Sequence, residues 1–108
     1  MDKAINKTIT EYIKLIQQEY PDFESVYVFG SYARGNSNLD SDIDLALIFR
    51  DLDDSKRFDI QVQLMLLASQ IDTRIEPHPI SHNDFYSDNP FVDEIKRTGF
   101  EIFAKATS

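Results

Sequence analysis

VYVFGSYARGNSNLDSDIDLALIF, residues 26–49, is the stretch that decides the fold of this chain. It holds two apolar runs, residues 26–29 and 45–49, on either side of a loop rich in Gly, Asn, Ser and Asp. Apolar runs bounded by such residues are typical of β-strands. The sequence therefore predicts two consecutive strands joined by a polar loop.

Two acidic residues open the second of these strands, in the order Asp42-Ile43-Asp44. Because successive side chains of a strand point to opposite faces, the two carboxylates face the same way and Ile43 faces the core. Carboxylates spaced by about 7 Å along a strand can converge on one hard cation. Mg²⁺ is commonly held by one or two carboxylates together with substrate phosphates, so Asp42 and Asp44 are candidate metal ligands.

The start of the loop carries groups that suit a phosphate. Gly30 lacks a Cβ, which lets backbone approach a ligand closely, and residues 31–34 can form a helical turn whose free N–H groups face an anion. Ser31 adds a hydroxyl donor, and Arg34 adds a permanently charged fork of donors. Arg34 is equally compatible with a phosphate contact and with a structural ion pair to nearby acids. A phosphate-binding turn next to paired carboxylates predicts a metal–nucleotide site.

A Gly-Ser pair, ten intervening residues and an Asp-x-Asp sequence together resemble the nucleotidyltransferase superfamily related to DNA polymerase beta. The longer segment GSYARGNSNLDSDIDL, residues 30–45, is similar to the minimal nucleotidyltransferase (MNT) domains of bacteria, the branch that includes the antitoxins of HEPN/MNT toxin–antitoxin systems. The resemblance implies an α/β fold in which a small mixed β-sheet is flanked by helices. We expect residues 1–108 to form a single domain of this kind.

The segment TRIEPHPI, residues 73–80, predicts a short third strand broken by prolines, which favour either a sheet edge or the C-terminal end of the strand. Alternation places Arg74, Glu76 and His78 on one face of it. The resemblance implies a third acid here, which helps to hold a metal and accepts the proton of the attacking hydroxyl. Glu76 stands in that place, with Asp72 as the fallback. His78 is interpreted as a structural residue packed beside the site, with a general base as the alternative.

The resemblance also implies a reaction. Gly30 and Ser31 would bind ATP through its phosphates. Asp42, Asp44 and Glu76 would form the catalytic acids and hold one or two Mg²⁺ ions. AMP would then pass to a hydroxyl group with release of pyrophosphate.

The acceptor follows only from the MNT resemblance, which implies a tyrosine of a partner HEPN-domain ribonuclease toxin. The chain would then be the antitoxin of that protein, as part of a homo- or hetero-oligomer. Two alternatives stay open: a small-molecule nucleotidyltransferase of the aminoglycoside-modifying kind, and a non-catalytic antitoxin that keeps the fold and acts by binding.

The acidic composition limits the classes of partner. The 19 Asp and Glu residues against 11 Lys and Arg residues give a net charge of −8, whereas a DNA-binding surface needs a basic face to displace counterions. No apolar run is long enough to span a bilayer, and the absence of cysteine fits a cytoplasmic protein. We therefore expect neither DNA nor a membrane as a partner.

Apolar spacing predicts the remaining elements. Residues 2–19 carry one apolar stripe, typical of an amphipathic helix. Residues 55–71 carry a broad apolar face, which predicts a central packing helix with Met65 in the core. A short helix over residues 91–98 and a last short strand, or an extended arm, over residues 100–103 complete the prediction.

Overall fold

Helices and strands alternate along the part of the chain that the computed structural model describes, residues 3–38 and 40–105. Asp2, the predicted first residue of the first helix, lies outside the described residues. None of the helices in these ranges is long and apolar enough to cross a membrane. In chain order the elements are α1 (Lys3–Glu19), β1 (Phe23–Phe29), α2 (Ser31–Arg34), β2 (Ile43–Phe49), a 3-10 turn (Asp54–Lys56), α3 (Arg57–Ser69), β3 (Ile75–Ser81), α4 (His82–Phe85), α5 (Pro90–Thr98) and β4 (Phe100–Ala104).

The strands form a mixed four-stranded sheet in the order β3-β2-β1-β4. β1 is antiparallel to both β2 and β4, whereas β2 is parallel to β3. A parallel pair needs a crossover connection rather than a hairpin, and α3 supplies it. β3 lies at an edge of the sheet, which is one of the two placements that its prolines favoured.

Each face of the sheet has its own hydrophobic cluster. One face packs against α1 and α3, and the other packs against α4 and α5. Alternation along β2 divides its side chains between them: Leu45 and Leu47 belong to the first cluster, and Ala46 and Ile48 to the second. By the same alternation, Asp44 lies on the second face, just beyond the end of that cluster.

The apolar stripe predicted for the first helix is confirmed over α1. The Tyr12 hydroxyl donates a hydrogen bond to the backbone oxygen of Leu64 in α3 at 2.8 Å, which links the two helices on this face of the sheet. The buried residues of α1 recur at helical spacing and are Ile5, Ile9, Tyr12, Ile13 and Ile16.

The predicted central packing helix is wrong, because α3 lies at the surface. Its buried residues are Leu64 and Ala68, whereas the side chains of Phe58, Met65 and Leu66 are 76%, 52% and 62% exposed. The expected burial of Met65 is therefore wrong as well. α3 shares one sheet face with α1, so only a narrow stripe of the helix meets the core and its other apolar side chains point outward.

The last helix and strand lie where the sequence predicted them, within one residue at their ends. The Asn89 side chain caps α5 by accepting a hydrogen bond from the backbone N–H of Phe91. Pro90 occupies the first turn, where no hydrogen bond from its nitrogen is needed. Gly99 ends the helix, and a Cβ there would lie 2.8 Å from the backbone oxygen of Ile95, so only glycine lets the chain turn directly into β4.

Candidate active site

β2 and β3 bring three side chains with metal-ligating atoms together at one end of the sheet. In their parallel register Asp44 lies opposite Glu76, and Ala46 lies opposite His78. Because these residues are two apart on each strand, their side chains share one face. One ligating atom from each of Asp44, Glu76 and His78 lies within 4.8 Å of the other two.

The His78 imidazole faces both of these carboxylates. Its Nε2 atom lies 3.3 Å from Asp44 Oδ1 and 4.0 Å from Glu76 Oε1. Sequence reasoning treated His78 as packing beside the site and left it out of the candidate ligands. The signal that could have found it is its position two residues after Glu76, since alternation puts both on one face.

Like charges crowd around Glu76. Burial, a hydrogen bond with the Asp42 side chain and the charge of Asp44 raise the pKa of Glu76 above its ordinary value, while the charge of His78 opposes the rise. Asp42 is therefore close enough to influence the pKa of Glu76, whereas the ligating atoms that lie within 4.8 Å of one another come from Asp44, Glu76 and His78.

This donor set fits a divalent cation. Asp42, Asp44 and Glu76 offer carboxylate oxygens, which suit Mg²⁺ and Mn²⁺, and His78 offers a nitrogen. A cation among the carboxylates would offset the like-charge repulsion that raises the pKa of Glu76. The residues therefore fit the metal that the sequence pattern implies.

Gly30 brings the loop backbone against Asp44. Its φ of 74° and ψ of −153° lie in a region that residues with a side chain rarely adopt. A Cβ at this position would overlap the Asp44 carboxylate and lie 3.1 Å from its Cγ. Glycine is thus needed both for the turn and for the close approach.

The predicted helical turn after Gly30 is present as α2. Arg34, its last residue, is exposed. None of the ion pairs within residues 3–38 and 40–105 involves Arg34. The structural ion pair that the sequence left open for Arg34 is therefore not found among these residues.

Asp72, the fallback for Glu76, is engaged by Arg74. The Nη2 and Nε atoms of Arg74 donate to the two oxygens of Asp72 at 2.7 and 3.1 Å, and these hydrogen bonds lower the pKa of Asp72 below its ordinary value. Arg74 Nη1 also donates to the Tyr32 hydroxyl at 3.3 Å, which braces α2 against the start of β3. Glu76 is the acid that the strand register brings opposite Asp44.

A cleft of about 540 Å³ lies near the opposite end of β1. Glu24, Arg50 and His82 are among its lining residues, and none of the predicted site residues lines it. His82 Nδ1 lies 2.9 Å from Glu24 Oε2. The second histidine of the chain is thus half-buried in a contact with Glu24, away from the acid cluster.

The family model described as polymerase beta, nucleotidyltransferase matches residues 11–108. Because this match covers most of the sequence, the chain belongs to that nucleotidyltransferase family. The family resemblance carried by the Gly-Ser and Asp-x-Asp spacing is therefore confirmed.

Among curated proteins, the chain is similar to the protein adenylyltransferase MntA of Shewanella oneidensis. The two are 35% identical over 65 residues, which make up 59% of this chain and 45% of MntA. The matched region is thus less than half of that relative's length.

Solved structures share the fold over most of this chain. A Sulfolobus solfataricus protein assigned as a nucleotidyltransferase aligns with a TM-score of 0.68 at 24% identity, covering 92% of this chain and 79% of that one. A toxin–antitoxin structure with AMP-PNP aligns with a TM-score of 0.61 at 25% identity, over 92% and 73% of the two chains. The complex of tri-AMPylated S. oneidensis HEPN toxin with MNT antitoxin aligns with a TM-score of 0.60 at 21% identity, over 93% and 72%. These likenesses confirm the predicted nucleotidyltransferase fold.

Proposed function

We propose that this chain is a cytoplasmic antitoxin that transfers AMP from ATP to a tyrosine hydroxyl of a partner HEPN ribonuclease toxin. The family match and the likeness to a protein adenylyltransferase support the reaction. The S. oneidensis complex, in which a tri-AMPylated HEPN toxin is bound to an MNT antitoxin, supports a HEPN toxin as the partner that receives AMP. The net charge of −8 also suits a partner with a basic, RNA-binding surface.

The observation that carries the reaction is the contact of the Gly30 turn with the acid cluster. Gly30 approaches the Asp44 carboxylate so closely that a Cβ would not fit, and Glu76 lies opposite Asp44 on the next strand. A phosphate chain bound at the turn therefore lies beside the carboxylates. Nucleotide transfer needs this arrangement of phosphate and acids.

We assign ATP binding to the turn and metal binding to the acids. The backbone of Gly30, the hydroxyl of Ser31 and the exposed guanidinium of Arg34 would hold the β- and γ-phosphates. Asp42 and Asp44, with Glu76, would hold one or two Mg²⁺ ions. A bound divalent cation neutralises charge on the attacking and leaving oxygens.

The chain's own part in the chemical step is alignment and proton transfer. The acceptor hydroxyl oxygen forms a bond to the α-phosphorus, and the bond from that phosphorus to the bridging oxygen breaks, so pyrophosphate leaves. Glu76 would take the hydroxyl proton, because it lies opposite Asp44 in the acid cluster and a carboxylate held within reach of the hydroxyl can act as its general base.

The test is transfer of label from α-labelled ATP to a purified HEPN-domain protein from the same host. We expect label on the HEPN protein and loss of its ribonuclease activity with the unmodified chain. Asp44→Asn should reduce labelling by at least about 100-fold, because it removes a metal ligand. The matched control is Asp40→Asn, since Asp40 is an exposed loop acid and its loss should leave labelling unchanged.

The outcomes separate this proposal from its two alternatives. Label found on an aminoglycoside and not on the HEPN protein would replace the proposal with the small-molecule enzyme. Full neutralisation of the ribonuclease by Asp44→Asn, without labelling, would replace it with a binding antitoxin. Equal labelling by Asp44→Asn and the unmodified chain would remove the acid cluster from the mechanism.

A further inference from the structure

His78 adds a nitrogen to a cluster that the sequence pattern describes with carboxylates alone. Its Nε2 lies 3.3 Å from Asp44 Oδ1 and 4.0 Å from Glu76 Oε1. Ligand atoms that each lie about 2.1 Å from a shared ion are separated from one another by roughly 3–4 Å. The two separations from His78 Nε2 fall in this range, and one ligating atom from each of the three residues lies within 4.8 Å of the others.

Aromatic rings hold the imidazole in this orientation. The ring centroids of Phe29 and Phe91 lie 5.1 and 6.1 Å from that of His78, on strands and helices that are part of the packed fold. Ala46 lies opposite His78 in the sheet. The ring contacts and the 3.3 Å contact of Nε2 with Asp44 Oδ1 together orient the imidazole.

We propose that His78 Nε2 is a ligand of the divalent cation held by Asp44 and Glu76, and that it makes the site prefer Mn²⁺ to Mg²⁺. Imidazole nitrogen favours first-row transition ions, whereas Mg²⁺ favours a shell of oxygens. The inference rests on the metal site of the proposed function and extends it by naming a ligand and an ion. It does not require that AMP be transferred.

The competing role for His78 is to donate a hydrogen bond that only orients the Asp44 carboxylate. A residue of that kind would strengthen binding of Mn²⁺ and Mg²⁺ alike. It would also leave no nitrogen in direct contact with the ion. The two roles therefore differ in ion selectivity and in the spectrum of the bound ion.

The experiment is pulsed electron paramagnetic resonance of Mn²⁺ bound to the purified chain without nucleotide. We expect a directly bonded ¹⁴N coupling in the unmodified chain and its loss in His78→Gln. His82→Gln is the matched control, because His82 pairs with Glu24 away from the cluster, and it should keep the coupling. Circular dichroism of both variants verifies that they are folded.

Calorimetric titration with each metal alone measures the selectivity. His78→Gln should weaken Mn²⁺ binding at least about 10-fold and Mg²⁺ binding less than about 3-fold. Absence of ¹⁴N coupling in the unmodified chain, or equal weakening of both ions, would overturn the inference. AMP transfer without the coupling would overturn this inference alone, and coupling without AMP transfer would overturn the proposed function alone.

Discussion

At the scale of single residues, Gly30 carries two constraints that can be separated. Gly30 and Gly35 both have a positive φ, 74° and 75°, but only a Cβ on Gly30 would overlap the Asp44 carboxylate. We expect Gly30→Ala to lose about 1–3 kcal/mol of unfolding free energy from backbone strain and also to abolish AMP transfer, because the acid cluster must shift. Urea unfolding and the labelling assay measure the two effects.

Gly35→Ala is the control for backbone strain. A Cβ on Gly35 would meet no atom within 4 Å, and its ψ of 15° lies in the left-handed helical region. The substitution should lower the unfolding free energy by about 1–2 kcal/mol and leave labelling intact. Equal loss of labelling in the two variants would mean that the turn as a whole, and not the contact of Gly30 with Asp44, matters for transfer.

At the scale of elements, the strands were predictable and the role of α3 was not. The period of two along β2 and β3 is local, so the shared faces of Asp42 with Asp44 and of Glu76 with His78 follow from the sequence alone. The burial of a helix depends on how many neighbours cover it, and that number is a property of the assembled layers. Apolar spacing therefore identified the helix over residues 55–71. It could not indicate that the helix would be covered on one side only, by one face of the sheet.

The surface position of α3 predicts unequal costs for two equivalent truncations. Leu64 is fully buried and Leu66 is 62% exposed, although both lie in the same helix. We expect Leu64→Ala to lower the unfolding free energy by about 2–5 kcal/mol, since it leaves a cavity in the core. Leu66→Ala should change it by less than about 0.5 kcal/mol. Chemical denaturation of both variants provides the comparison. Similar losses of unfolding free energy would mean that α3 is buried on all sides and does not lie at the surface.

At the scale of the whole molecule, the candidate site exists only in the folded sheet. Asp44 and Glu76 lie opposite each other because β2 and β3 pair in parallel. The crossover through α3 separates these two strands in the sequence. The presence of each acid could be predicted from its own strand, but their pairing followed only from the family resemblance, because a register is set by packing of the complete sheet. The contact of His78 with Asp44 was missed for the same reason.

Since the three ligating residues separate on unfolding, metal binding should stabilise the entire fold. A cation that needs Asp44, Glu76 and His78 together binds the folded state preferentially. At about 100 times its dissociation constant it should add about 2.7 kcal/mol, which corresponds to a rise of roughly 10 °C in the Tm of a domain of this size. Thermal unfolding in EDTA and in Mn²⁺ measures this difference.

Glu76→Gln is the variant that connects this stabilisation to the acid cluster. Without metal it should be at least as stable as the unmodified chain, because it removes a like charge beside Asp42 and Asp44. The gain should stay below about 1 kcal/mol, since the Glu76 side chain is 47% exposed and solvent screens the repulsion. With Mn²⁺ its Tm should rise by only a few degrees, because one of the ligands is lost. If Mn²⁺ raises the Tm of Glu76→Gln as much as that of the unmodified chain, the cation that stabilises the fold binds outside the cluster. The acids at the start of β2 and β3 would then not be its ligands.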